Sequence, residues 1–226
     1  MVISARERPF PAAFPDGSGL FQSFLQEVND RHLRVLEIGS RVVSPGSISK
    51  QPLFPNAASY TGFDYYPDDN TDVVGDAHQL SRYFAADCTF EAIFSLSVFE
   101  HLAMPWVVVR EINQLLTIGG ITCHITHCSF PPHELPWDFW RFTDEGLKVL
   151  FSPAMGFEIV AAGYIEPVSI HPYRYVPSQE FLPLSPTFAS VGVLARKVAN
   201  PNLDRVKWDV SLQEVLAPSK TYPKSP

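Results

Sequence analysis

Val35-Leu36-Glu37-Ile38-Gly39 ends a short aliphatic run with an acid and then a glycine. Branched aliphatic side chains favour extended backbone, and an unbroken apolar run suits a parallel strand covered on both faces. The acid and the glycine fall at the carboxyl edge, where doubly wound sheets bind their ligands. Without a Cβ, Gly39 leaves φ unrestricted and lets the backbone approach a ligand closely.

The same pattern extends outward from this run. Upstream, Phe21, Phe24, Leu25 and Val28 recur at helical spacing, which predicts an amphipathic helix lying on the sheet. Downstream, Ser59 to Asp64, Asp72 to Val74, Ala92 to Leu96 and Gly120 to His127 are short apolar runs separated by helical or turn material, the alternation of βαβ units. Pro105 to Leu116 predicts a helix that Gly119-Gly120 would stop. Phe157 to Tyr164 and Phe188 to Val198 are two more strands, expected to pair antiparallel at the sheet edge. The expected fold is α/β: a Rossmann-like, doubly wound, mostly parallel seven-stranded sheet with helices on both faces and an antiparallel edge strand.

Proline marks the flanks. Residues 1–19 read as an N-terminal arm with Pro9, Pro11 and Pro15, and residues 20–198 as the domain, with a lid segment at 128–143 and a proline-rich insertion at 167–187. Residues 199–226 read as a C-terminal docking tail carrying Trp208, Val210, Leu212, Val215 and Leu216. The 226 residues suffice for one such domain, and 46% hydrophobic against 18% charged residues is ordinary globular usage. A net charge of -7 with scattered Lys and Arg offers no stripe for a phosphate backbone, so nucleic acid is not the expected partner. No apolar run approaches the roughly 20 residues that span a bilayer, so no membrane insertion is expected. Three cysteines, Cys88, Cys123 and Cys128, within apolar segments fit reduced thiols and a cytoplasmic chain.

The strand ends carry the candidate chemistry. Asp64 closes the second strand, where a carboxylate can accept both hydroxyls of a ribose. Asp76 closes the third and can accept from an exocyclic adenine amine. One such Asp is ordinarily a turn or cap residue, but with Glu37 the acids form a set along one edge. After Gly39 come Ser40 and Arg41 and not further glycines; a wider loop there still presents backbone amides, with Arg41 available to pair with a ligand carboxylate.

These residues resemble the class I S-adenosylmethionine-dependent methyltransferases, of the methyltransferase type 11 kind. Four blocks carry the resemblance: Val35 to Gly39, Phe63 to Tyr65, Val74 to His78, and Phe90 to Leu102 with its Ser97-Val98-Phe99-Glu100-His101-Leu102 run. Leu115-Leu116-Thr117-Ile118-Gly119-Gly120 stands where that family has a Leu-Leu-x-x-Gly-Gly turn before the fifth strand. The resemblance implies S-adenosylmethionine as cofactor, held by Glu37, Gly39, Ser40, Arg41, Asp64, Tyr65, Asp76, Ala77, Ser95, Leu96, Ser97 and His101. It implies methylation of an oxygen or nitrogen on a small-molecule or glycan acceptor; similar His-x-x-Pro-x-Asp-x-Trp-Arg runs within the family are the hint toward glycans.

Pro131 to Thr143, Pro-Pro-His-Glu-Leu-Pro-Trp-Asp-Phe-Trp-Arg-Phe-Thr, follows the fifth strand and should wall the reacting end of the cofactor. Methyl transfer is an in-line displacement, so positioning supplies much of the rate, while a hydroxyl acceptor still needs its proton removed. His133, with His127 behind it, is the candidate base, since imidazole titrates near working pH. Asp138 can orient a histidine or the acceptor, and Arg141 can bind an acidic one; the bland alternative is an Asp138–Arg141 pair that locks the lid. His78 and His101 read equally as structural. No metal site is expected: among Cys123, His124, His127 and Cys128, strand alternation sends His124 to the opposite face from Cys123 and His127. A nicotinamide-dependent dehydrogenase would need Gly-x-Gly-x-x-Gly, which Gly39-Ser40-Arg41-Val42-Val43-Ser44 does not supply. A non-catalytic binding or regulatory module with a degenerate glycine loop stays as the alternative, and self-association into a homo-oligomer is left open.

Overall fold

The computed structural model describes residues 11–43, 46–174, 176–202 and 204. The outer part of the expected arm and most of the expected tail, including Trp208, Val210, Leu212, Val215 and Leu216, lie outside the described residues.

Seven strands form one sheet: β1 (Arg34–Ile38), β2 (Ser59–Asp64), β3 (Val73–Val74), β4 (Phe90–Leu96), β5 (Leu116–His127), β6 (Phe157–Val168) and β7 (Thr187–Lys197). Their order is β3-β2-β1-β4-β5-β7-β6. Strands β1 to β5 are parallel, and β7, between β5 and β6, runs antiparallel to both. The last two strands therefore meet antiparallel at the sheet edge, as their sequence suggests. The order reverses between β1 and β4, and at such a switch point the connections diverge to opposite faces and leave a crevice beyond the carboxyl ends of the strands.

Alternating side chains give the sheet two cores. On one face α1 (Leu20–Arg31) lays Leu20, Phe24 and Val28 against Val35, Ala92, Phe94 and Ile121. Their spacing of four keeps them on one helical stripe. Burying a side chain such as Phe24 contributes about 2 kcal/mol. On the other face α2 (Pro105–Leu115) and α3 (Asp144–Leu150) cover Leu36, Ile38, Ile93 and Phe157. Helix α2 opens on Pro105, where a missing N–H removes no helical bond. Thr143 caps α3, its Oγ1 accepting from the Gly146 amide at 3.1 Å. Part of the N-terminal arm is tied down: Gly17 donates to the Tyr164 carbonyl at 2.8 Å, and Tyr164 donates to that of Pro15 at 2.8 Å.

One local expectation is revised. Gly119-Gly120 does not stop α2; the helix ends at Leu115 and β5 starts at once. The glycines instead sit in an irregular stretch of β5, where Gly119 takes φ +82° and the pairing with β4 slips between Phe90 and Ala92. Between β1 and β2, where a doubly wound sheet ordinarily places a helix, the described residues form an extended loop with one 3-10 turn, Gln51–Leu53. The sequence offers a reason in its two prolines and lack of helical spacing between Gly39 and Pro55.

Candidate active site

A cavity of about 470 Å³ opens at the switch point, within the range of small-molecule sites. Glu37, Gly39, Ser40, Arg41, Asp64, Tyr65, Asp76, Ala77, Leu96, Ser97, His101, His127 and His133 all line it. Residues from the ends of five strands thus converge, and the three acids Glu37, Asp64 and Asp76 share one crevice.

Gly39 shapes the floor. Its φ is +81°, and a Cβ there would meet Val98 Cγ2 at 2.3 Å, so the first and fourth strand ends approach closely only because this residue is glycine. Ser97, next to Val98 at the end of β4, holds a left-handed φ of 55°, an uncommon conformation for a residue with a side chain. Glu37 is buried, and the Tyr60 hydroxyl donates to its Oε2. Burial raises its carboxyl from an ordinary 4.5 to about 7, against the opposing pull of Tyr60 and Lys50.

Asp64 and Asp76 are held differently. Asp64 accepts from the amides of Arg41 and Tyr66 at 3.2 Å each, and Arg41 Nε lies 3.3 Å from its Oδ1. The Arg41 guanidinium also sits 5.2 Å over the Tyr66 ring. In this arrangement Arg41 organises the loop around Asp64. Asp76 accepts from the His78 amide at 2.9 Å and meets His78 Nδ1 at 2.7 Å. Burial pushes the Asp76 carboxyl up, but the His78 bonds outweigh it and leave the carboxyl below its ordinary value. His78 Nε2 accepts from the Met104 amide at 3.2 Å, so its proton resides on Nδ1. His78 therefore has a structural task, tying the end of β3 to the start of α2.

The segment after β5 walls the opposite side through Phe130, His133, Glu134 and Trp137. It is locked by Arg141, all five of whose N–H donors are engaged. Nη1 meets Asp138 Oδ1 at 2.6 Å and the Trp140 carbonyl at 2.8 Å. Nη2 meets Asp138 Oδ2 at 2.7 Å and the Pro131 carbonyl at 3.0 Å, and Nε the Phe130 carbonyl at 2.9 Å. The Arg141 bond holds the Asp138 carboxyl down at about 2. Trp137 is buried against Ala103, Met104 and Val107, and the amides of Phe139 and Trp140 both bond the Glu100 carbonyl.

Behind the lid stands a cluster that single-residue reading missed in part. Glu100 is fully buried and its Oε2 accepts from Thr126 Oγ1 at 2.7 Å. Its Oε1 lies 3.1 Å from His127 Nε2 and 4.0 Å from His101 Nε2. Burial raises the Glu100 carboxyl. It also lowers His127 to about 4, helped by the neighbouring charges of His133, Arg141 and His101. Phe130 stacks on His127 with centroids 3.9 Å apart. His101 Nδ1 meets the Trp137 carbonyl at 2.7 Å, and His133 Nδ1 the Pro131 carbonyl at 3.2 Å. Carbonyls only accept, so each of these rings carries a proton on Nδ1.

Three expected site residues do not line the cavity. Ser95 is buried beneath it, its Oγ 2.8 Å from His124 Nδ1, and serves the core. Arg141 has no donor left for an acidic acceptor, and Asp138 reaches the site only through His133, whose amide it accepts at 2.9 Å. His124 packs against Phe99 and Phe151 while Cys123 belongs to the other core, which separates them as strand alternation requires. Glu100, Val98 and Phe130 were not singled out. The one available signal for Glu100 was its place beside His101 in the run after β4.

Residues 17–123 match the methyltransferase domain family. No curated protein matches the chain in sequence. Among solved structures it is similar to a SAM dependent methyltransferase from Archaeoglobus fulgidus, with TM-score 0.53 at 14% identity over 79% of this chain and 93% of that one. It is also similar to the 1,6-didemethyltoxoflavin-N1-methyltransferase of Burkholderia thailandensis, solved with bound 1,6-didemethyltoxoflavin and S-adenosylhomocysteine, with TM-score 0.52 at 14% identity over 81% and 80% of the two chains. The cyclase SpnF shares the fold as well, with TM-score 0.52 at 19% identity over 78% and 80%. No helix among the described residues is long and apolar enough to cross a membrane. The family match runs from α1 into β5, and with this strand order the chain has the fold of the class I S-adenosylmethionine-dependent methyltransferases.

Proposed function

We propose that the chain binds S-adenosylmethionine in the switch-point cavity and methylates an oxygen or nitrogen of a small-molecule or glycan acceptor held under the lid. The observation that carries this reading is the convergence of Glu37, Asp64 and Asp76 around one cavity of about 470 Å³ with Gly39 at its floor. The residues fit the group. Gly39 leaves a cradle that a Cβ would fill. Glu37 is a buried carboxylate suited to a cationic amine, which would draw it into its charged form. In this reading Asp64 takes the ribose hydroxyls and Asp76 the adenine amine.

The cofactor supplies a methyl group on a sulfonium, and the protein has three tasks around it. The aromatic lid excludes water and orients the acceptor, and the Arg141–Asp138 lock holds it in register. The acceptor's proton goes to a lone pair, which His133 Nε2 offers at the cavity wall. His127, held near 4, is a poor proton acceptor at neutral pH and serves better as a neutral neighbour. Free Cys88, Cys123 and Cys128 support a reducing, cytoplasmic setting.

Calorimetric titration with S-adenosylhomocysteine tests the reading: saturable binding that Asp64→Ala weakens strongly is expected, and no binding at millimolar ligand overturns it. Two observations favour a second reading, a binding module without turnover: Asp64 is already bonded to Arg41, and no α-helix lies between β1 and β2 among the described residues. Methyl transfer to any acceptor in a screen of small molecules and glycans decides against that module.

A further inference from the structure

We infer that Glu100, His127 and His133, with His101 at the rim, form a binding site for one zinc-class divalent transition-metal ion at the acceptor end of the cavity. One ligand atom from each of Glu100, His127 and His133 lies within 4.8 Å of the others. Glu100 Oε1 and His127 Nε2 are 3.1 Å apart yet share no hydrogen bond of acceptable geometry. Two donors of one tetrahedral ion, each at about 2.0–2.1 Å, sit about 3.3 Å apart, so the pair already has the spacing of co-ligands.

The unsatisfied carboxylate points the same way. Glu100 is fully buried, and its Oε1 has no hydrogen-bond partner among the described residues. A buried carboxylate oxygen without a partner is costly, and a dication beside it removes that cost. His101 and His133 each give their Nδ1 proton to a backbone carbonyl. That bond on the far nitrogen is how ligating histidines are fixed, with Nε2 turned to the ion. The donor set, imidazoles with one carboxylate, suits zinc or another first-row divalent ion, whereas magnesium and calcium prefer oxygen. Three protein ligands leave a coordination position facing the cavity.

The site's existence does not depend on the methyltransferase reading; its use does. A hydroxyl bound at the open position becomes more acidic and loses its proton to solvent, which replaces proton removal by His133 Nε2 once the ion is in place.

The test is Zn²⁺ titrated by calorimetry into chelator-stripped, full-length protein without cofactor, with Co²⁺ absorption reporting geometry. One equivalent with tetrahedral cobalt bands is expected. His127→Ala and His133→Ala should each weaken binding at least about 100-fold, beyond the loss typical of an outer-shell change, and remote His32→Ala should leave it unchanged. Absence of saturable Zn²⁺ binding, or binding that survives both histidine substitutions, overturns the inference. If buried Glu100→Gln fails to fold, His133→Ala on the lid still decides. S-adenosylhomocysteine affinity measured in parallel separates the two hypotheses: its loss sinks the cofactor reading and leaves the zinc result standing, and the converse holds.

Discussion

The loop after β1 and the lid after β5 face each other across the same cavity, and they are built on opposite terms. The first is held by backbone conformation: Gly39 turns at φ +81° under Val98, and the rest leans on Asp64 and on Ser40 Oγ at 3.2 Å from Thr71 Oγ1. The second is held by side chains, with five guanidinium bonds from Arg141 and a buried Trp137. A wall turned on one glycine admits no Cβ at that point. A wall fixed by an ion pair fails when the pair is split.

Gly39→Ala breaks the first wall and should have the largest effect. A left-handed Ala costs about 1–2 kcal/mol, and displacing Val98 costs about 1–3 kcal/mol more. Carried onto the cavity, that is about 100-fold in S-adenosylhomocysteine affinity, read by calorimetry alongside a thermal melt; an unchanged affinity would show that Val98 yields freely.

Asp138→Asn breaks the second wall. Losing a charged hydrogen-bond partner costs about 2 kcal/mol, expected as faster amide exchange across residues 131–141 and a lower kcat, with the β1 loop unaffected. If exchange rises equally in both segments, the two walls are one unit and the contrast falls.

Glu37 sharpens the comparison through pH. Its carboxyl titrates near 7 in the folded protein against an ordinary 4.5. Affinity for a cofactor with a cationic amine should therefore fall about tenfold per unit as pH drops below about 7, and Glu37→Gln should flatten the profile. The stability effect has the opposite sign: a raised folded pKa stabilises at low pH and is lost as pH rises from about 4.5 through about 7. Urea melts of the two forms across that window should converge at low pH, with the wild type losing stability relative to Glu37→Gln as pH rises.

The smallest effect is expected from Arg34→Ala at the far end of β1. Its half-exposed pair with Glu91, 3.0 Å from Nε to Oε2, is screened by solvent, so stability should change by no more than about 1 kcal/mol and cofactor affinity not at all. A larger loss of affinity would mean that the sheet transmits strain between its ends.

What could be read from the chain alone was whatever local periodicity and strand-end chemistry encode. The run Val35 to Gly39, the acids at Asp64 and Asp76, and the last antiparallel pair were all visible, because side-chain alternation and turn chemistry act over a few residues. What needed the tertiary structure was pairing at a distance. Whether Arg141 met a substrate or closed on Asp138, and whether His78 served the site or the Met104 amide, depended on how segments fold back on one another. So did the meeting of Glu100, after β4, with His127 and His133 beyond β5: they are 27 and 33 residues away in sequence. Hydrogen bonds and ligand sets of this kind are satisfied in three dimensions, and only the packed sheet fixes which partners come within reach.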